Sequence, residues 1–94
     1  MTEHEKEICL AALETWGPDV QKLIVFEQIA EFLKIYAKSL RTNGNYGEMI
    51  DEIADMEIVL QQLKFMFRAE PEVDAAISRK LRHLEAKIQG HNHE

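Results

Sequence analysis

Between Asp19 and Leu40 the chain carries apolar side chains almost all the way round a helix. That inversion of the usual pattern constrains the fold more than any other feature. At about 100° per residue, Val20, Leu23, Ile24, Val25, Phe26, Ile29, Ala30, Phe32, Leu33, Ile35, Tyr36, Ala37 and Leu40 cover nearly the whole circumference. The clear exception is a sector roughly 60° wide that holds Glu27, Glu31, Lys34 and Lys38. A surface helix shows a broad polar face and a narrower apolar stripe. A helix with the reverse proportions is covered on most sides, and its acids face either solvent through a slot or a site inside a bundle.

Three punctuation points divide the chain into four predicted helices. Thr2 and Glu5 have capping-box spacing and precede Ile8, Leu10, Ala11, Ala12, Leu13 and Trp16. Gly17-Pro18 closes that helix and opens the next, which runs from about residue 19 to 40. Thr42-Asn43-Gly44-Asn45-Tyr46-Gly47 is the one turn-rich stretch and reads as a loop. A third helix covers about 48 to 68, and Pro71 starts a fourth that reaches about Gln89. Residues 90–94 read as a frayed end. No run alternates with period two, so the expected class is all-α. One domain fills residues 1–94, with two long central helices each roughly 30 Å in length. Rods of that length in so small a chain leave flanks exposed, and a second copy is the simplest cover. A dimeric helical bundle, or a tetramer built from dimers, is the expected assembly.

Composition removes several classes of function. Ninety-four residues make one small domain, and four Gly with two Pro are too few for a disordered chain. A single cysteine, Cys9, makes no internal disulfide and no cysteine-based zinc site, which fits a reducing cytoplasm. The longest apolar run is six residues, Ile8-Cys9-Leu10-Ala11-Ala12-Leu13, and Leu23-Ile24-Val25-Phe26 is only four, so no membrane span is expected. The polar, acidic start Met1-Thr2-Glu3-His4-Glu5-Lys6-Glu7 is unlike a signal peptide. With 17 Asp+Glu against 11 Lys+Arg, the balance opposes nucleic-acid polymers and leaves room for cations.

The third helix adds acids of its own. Glu48, Glu52 and Asp55 share one face at i, i+4 and i+7, and Val59, Gln62 and Met66 continue it. Acids in a first turn complement the helix dipole, which accounts for Glu48, Asp51 and Glu52 as ordinary features. It does not account for Asp55, two turns in, since Asp is a poor mid-helix residue. Glu27, Glu31, Lys34 and Lys38 are equally well read as a solvent edge with mixed i,i+3 and i,i+4 pairing. Taken together, two helices that present carboxylates can converge on a hard cation, and magnesium takes oxygen ligands, waters and substrate phosphates. No Glu-x-x-His pair is present, so magnesium or manganese is favoured over a di-iron centre.

The residues Glu27-Gln28-Ile29-Ala30-Glu31, then 20 residues, then Glu52-Ile53-Ala54-Asp55 resemble the paired motif of the MazG-like, all-α nucleoside triphosphate pyrophosphohydrolases. Leu13-Glu14-Thr15-Trp16-Gly17 with Gln21, the run Ile50 to Lys64, and Lys80-Leu81-Arg82-His83-Leu84-Glu85-Ala86-Lys87 are similar to its phage and bacterial branch. The resemblance covers about residues 8 to 89. It implies a magnesium-dependent cut between the α- and β-phosphates of a nucleoside triphosphate, giving monophosphate and pyrophosphate. It implies Gln28, Glu31, Glu52 and Asp55 as metal ligands, with Glu31, Glu52 and Asp55 catalytic. Glu27, Lys34, Lys80 and Lys87 would then contact substrate, although for the lysines a solvated face is an equal reading.

Gln28 departs from the family pattern, which has a carboxylate there. An amide oxygen binds a hard cation but brings no charge. His83 also stands where a longer basic residue is more usual. A second expectation therefore stands beside the first: a catalytically weakened or inactive relative that acts as a helical, dimeric nucleotide- or protein-binding module.

Overall fold

The computed structural model describes residues 1–92. It is all-helical, with three elements rather than four: α1 (Glu3–Ser39), α2 (Tyr46–Met66) and α3 (Glu70–Asn92). The capping box at the start of α1 forms as its spacing predicts. The Glu5 backbone N–H donates to Thr2 Oγ1 at 3.1 Å, and the Thr2 N–H donates to Glu5 Oε1 at 2.7 Å. Those bonds hold the Glu5 carboxyl below its usual range, the Thr2 backbone donor having the larger effect.

The expected first and second helices abut without a linker, which is why the count falls to three. Gly17 alone leaves helical geometry, at φ 82° and ψ 162°. Pro18 explains the break. It has no N–H to donate, its ring collides with the carbonyl four residues earlier, and it disfavours the helical region for the residue before it. The conformation adopted is one that glycine reaches and other residues rarely do.

The connection from α1 to α2 is shorter than expected, because α2 begins at Tyr46 rather than near 48. Asn45 occupies the N-cap position but makes no side-chain cap bond. Its buried amide instead donates from Nδ2 to the Ile35 carbonyl at 3.1 Å, tying the loop to the last turns of α1. The short connection makes α1 and α2 an antiparallel hairpin. Its core is small: Cys9, Val25, Ile35 and Val59 are buried, with the polar Gln21, Asn45, Gln61 and Gln62.

Helix α2 ends in a Schellman motif. The Ala69 N–H donates to the Lys64 carbonyl at 2.9 Å and the Arg68 N–H to Phe65 at 3.1 Å. Arg68 sits at φ 51°, the left-handed position that usually selects glycine. The turn sends α3 away from the hairpin, so that no α1–α3 Cα pair among the described residues comes within 8 Å. At the junction the Gln61 amide donates to Glu70 Oε2 at 2.6 Å, while Lys6 lies 3.5 Å from Glu70 and Lys64 lies 3.1 Å from Asp74. Helix α3 has no buried residue and stays helical through Asn92, so the expected fraying from residue 90 does not begin there. Residues 93 and 94 of that expectation lie outside the described residues.

The chain is extended. Its radius of gyration is 16.5 Å, where a compact chain of this length has about 12 Å. Its accessible surface is 7430 Å², where a compact monomer of this mass exposes about 5,600 Å². No helix among the described residues is long and apolar enough to cross a membrane.

Candidate functional site

Helix pairing places the α1 polar sector beside the acidic half of α2. Lys38 Nζ lies 2.9 Å from Glu48 Oε1, the one α1–α2 ion pair among the described residues. Both groups are about half exposed, so the pair adds little stability and mainly marks the register. One further turn into the hairpin, the acids meet one another instead of a cation.

Glu52 is the centre of that group. Its side chain is partly buried, and Oε2 is shielded from solvent without a hydrogen-bond partner. Burial raises its carboxyl above the usual range, and the charges of Asp55, Glu31, Asp51 and Glu48 push it further the same way. Four of the five acids belong to α2. Glu31 belongs to α1, so the field that Glu52 feels is assembled by the packing of two helices and not by α2 alone.

The eight candidate site positions, taken with Lys38 of the same polar sector, fall into separate groups. Gln28 is partly buried on α1, and Glu31 is exposed one turn later. Glu52 and Asp55 are both partly buried on α2. Glu27, Lys34 and Lys38 are exposed on α1. Lys80 and Lys87 are exposed on α3, whose backbone approaches α1 nowhere within 8 Å, so a single chain does not bring them to the acids. Asp51 and Glu48 add to the charge on Glu52, which the first-turn reading of those residues did not anticipate. For Glu48 the spacing does anticipate it, since Glu48 shares a face with Glu52 and Asp55.

Among the described residues no three His, Cys, Asp or Glu groups are gathered closely enough to hold an ion by themselves. The donor set around Glu52 is nevertheless all oxygen, with one orphaned carboxylate atom. That chemistry suits a hard cation that fills its remaining positions with water and phosphate oxygens, as magnesium does. A second buried orphan, Gln21 Oε1, lies ten residues before Glu31 on α1.

Family models, curated proteins and solved structures were each compared with this chain, and none matches.

Proposed function

We propose that this chain is a magnesium-dependent nucleoside triphosphate pyrophosphohydrolase of the MazG-like kind, with Glu31, Glu52 and Asp55 as its acidic centre. The observation that carries the reading is the Glu52 carboxylate, buried at one oxygen, unpartnered, and surrounded by like charge. Burying an uncompensated charge is costly, and the missing component is a cation. Glu52 and Asp55 from α2 and Glu31 from α1 would supply its protein oxygens, with Gln28 adding a neutral one. Magnesium or manganese held there would supply the charge that neutralises phosphate oxygens and makes water a better nucleophile. The chain's own contribution is to orient the triphosphate against the α1–α2 face and to hold the cation on carboxylates that repel one another without it. Lys34, on the same sector of α1, would meet an outer phosphate. Glu27 borders the same sector.

The experiment is pyrophosphate release across a panel of nucleoside triphosphates with and without magnesium, paired with a metal titration followed by melting temperature. A single site at 100 times its dissociation constant adds about 2.7 kcal/mol, a readily measured shift. Asp55→Asn should abolish both the shift and the release while leaving the fold intact. An unchanged metal response in Asp55→Asn removes these acids from the site. Gln28 favours a second reading, a relative that binds nucleotide without turning it over, for which the same panel returns binding and no product.

A further inference from the structure

The connection between α1 and α2 holds two asparagines in very different surroundings. Asn45 is buried, its Nδ2 donates to the Ile35 carbonyl at 3.1 Å, and the bulky Tyr46 follows it. Asn43 is exposed, and the residue after it is the equally exposed Gly44. The carbon of an asparagine side-chain amide is an electrophile, and the nearest nucleophile is the backbone nitrogen of the next residue. Attack closes a five-membered ring, and glycine hinders the closure least because it has no Cβ.

Both flanks of this dipeptide are tied to α1. The Thr42 N–H donates to the Lys38 carbonyl at 3.1 Å, and Asn45 is bound to Ile35. Between them, the Gly44 N–H donates to the exposed Thr42 hydroxyl at 3.2 Å. An exposed bond of that kind exchanges for water at small net cost, so the Gly44 nitrogen is free to react.

We propose that Asn43 is a site of spontaneous deamidation through a succinimide, and that the isoaspartyl product loosens the α1–α2 hairpin. The Gly44 nitrogen loses its proton to solvent and attacks Asn43 Cγ. A Cγ–N bond forms, the Cγ–Nδ2 bond breaks, and ammonia leaves. Water then opens the ring at either carbonyl. Opening at Cγ returns a normal main chain with aspartate at position 43. Opening at the main-chain carbonyl of residue 43 routes the chain through Cβ and Cγ, which lengthens it by one methylene. One water is consumed and one ammonia released, and no other reactant is needed.

The inserted methylene falls where the hairpin register is set. The Asn45–Ile35 bond at 3.1 Å and the Lys38–Glu48 pair at 2.9 Å lie on either side of it. Both were formed with a main chain of normal length, and the isoaspartyl chain strains them. The inference concerns this connection alone and does not depend on the nucleotide reading.

The test is incubation of the full chain at neutral pH with warming, followed by digestion and mass spectrometry. Asn43 should become an acid well ahead of Asn45 and Asn92, with isoaspartate as well as aspartate in the product. Conversion no faster than at Asn45 overturns the site, and aspartate without isoaspartate overturns the cyclic route. Gly44→Ala is the companion variant, because its Cβ would meet Thr42 Oγ1 at an ordinary 3.5 Å and the backbone there is not left-handed. It should slow conversion about tenfold, or about 1.4 kcal/mol on the barrier; an unchanged rate excludes the Gly44 nitrogen as nucleophile. For the consequence, the acidic aged fraction from anion exchange is compared with Asn43→Asp, which has the same charge and a normal main chain. The aged fraction should show a component melting about 4–8 °C lower, the shift that losing one such hydrogen bond brings. Equal melting overturns the loosening.

Discussion

Gly17→Ala isolates backbone conformation from packing, because a Cβ added at Gly17 meets nothing within 4 Å. The whole effect therefore comes from φ 82° and ψ 162°. Holding a non-glycine residue in a sparsely populated region costs about 1–3 kcal/mol. The substitution also removes freedom from the unfolded chain, which offsets about 0.4–1 kcal/mol of that. A net destabilisation of about 1–2 kcal/mol remains, and at roughly 4–8 °C per kcal/mol the melting temperature falls by some 5–15 °C. Straightening does not rescue the variant, since Pro18 still obstructs a continuous helix. Gly17→Ala with Pro18→Ala removes the obstruction, and it should recover much of the loss while lengthening α1 into a straighter rod. Thermal unfolding by circular dichroism at one fixed protein concentration is the assay, because self-association would otherwise move the midpoint. A Gly17→Ala protein that melts within about 1 °C of wild type refutes the argument, since the strain estimate is several-fold larger.

Other positions give outcomes of known sign. Arg68→Gly should stabilise by up to about 1 kcal/mol in urea titration, because Arg68 adopts left-handed geometry at φ 51° where a side chain costs about 1–2 kcal/mol. Thr2→Ala should cost about 1 kcal/mol by the same measurement, through loss of the α1 cap. Gln28→Glu should tighten magnesium binding in a calorimetric titration, and a tenfold gain would need only about 1.4 kcal/mol; weaker binding would mark Gln28 as a contact to something other than the metal. Without metal, the chain should resist urea better as pH falls from neutrality toward the ordinary carboxylate range. Glu52 has a raised folded-state pKa, so its charge opposes folding above that value and the opposition disappears as the carboxyl protonates. Glu52→Gln should flatten that slope.

Local signals were the legible part of this chain. Thr2 and Glu5 announce their cap because both partners lie within one turn. Pro18 announces a break because its effect is confined to its own ring and the residue before it. The same local reading overcounts helices, since nothing in Gly17-Pro18 says whether the flanking turns will separate or abut. Arg68 gives no warning of its left-handed backbone, which the junction of α2 and α3 imposes. The shared face of Glu48, Glu52 and Asp55 follows from spacing alone. The solitary buried oxygen of Glu52 does not, because it depends on the rotation of α1 about its own axis.

That rotation ties the acidic centre to the apolar pattern. Successive residues on α1 are about 100° apart, so a one-residue change in its contact face would replace Gln21, Val25 and Ile35 at the interface and carry Glu31 away from Glu52. The apolar contacts of Val25, Ile35 and Val59, with the Asn45 amide bound to Ile35, hold the present register. The like charges around Glu52 oppose it. Relief by rotation would expose Val25 and Ile35 and break the Asn45 bond, so the repulsion persists as a local strain that a bound cation or a proton removes. A helix whose only task was to fill a bundle could relieve the same strain by replacing Glu52 with glutamine, at similar volume and with the amide still able to hydrogen-bond. Glu52→Gln should therefore stabilise the metal-free chain at neutral pH, and an unchanged stability would refute the repulsion argument.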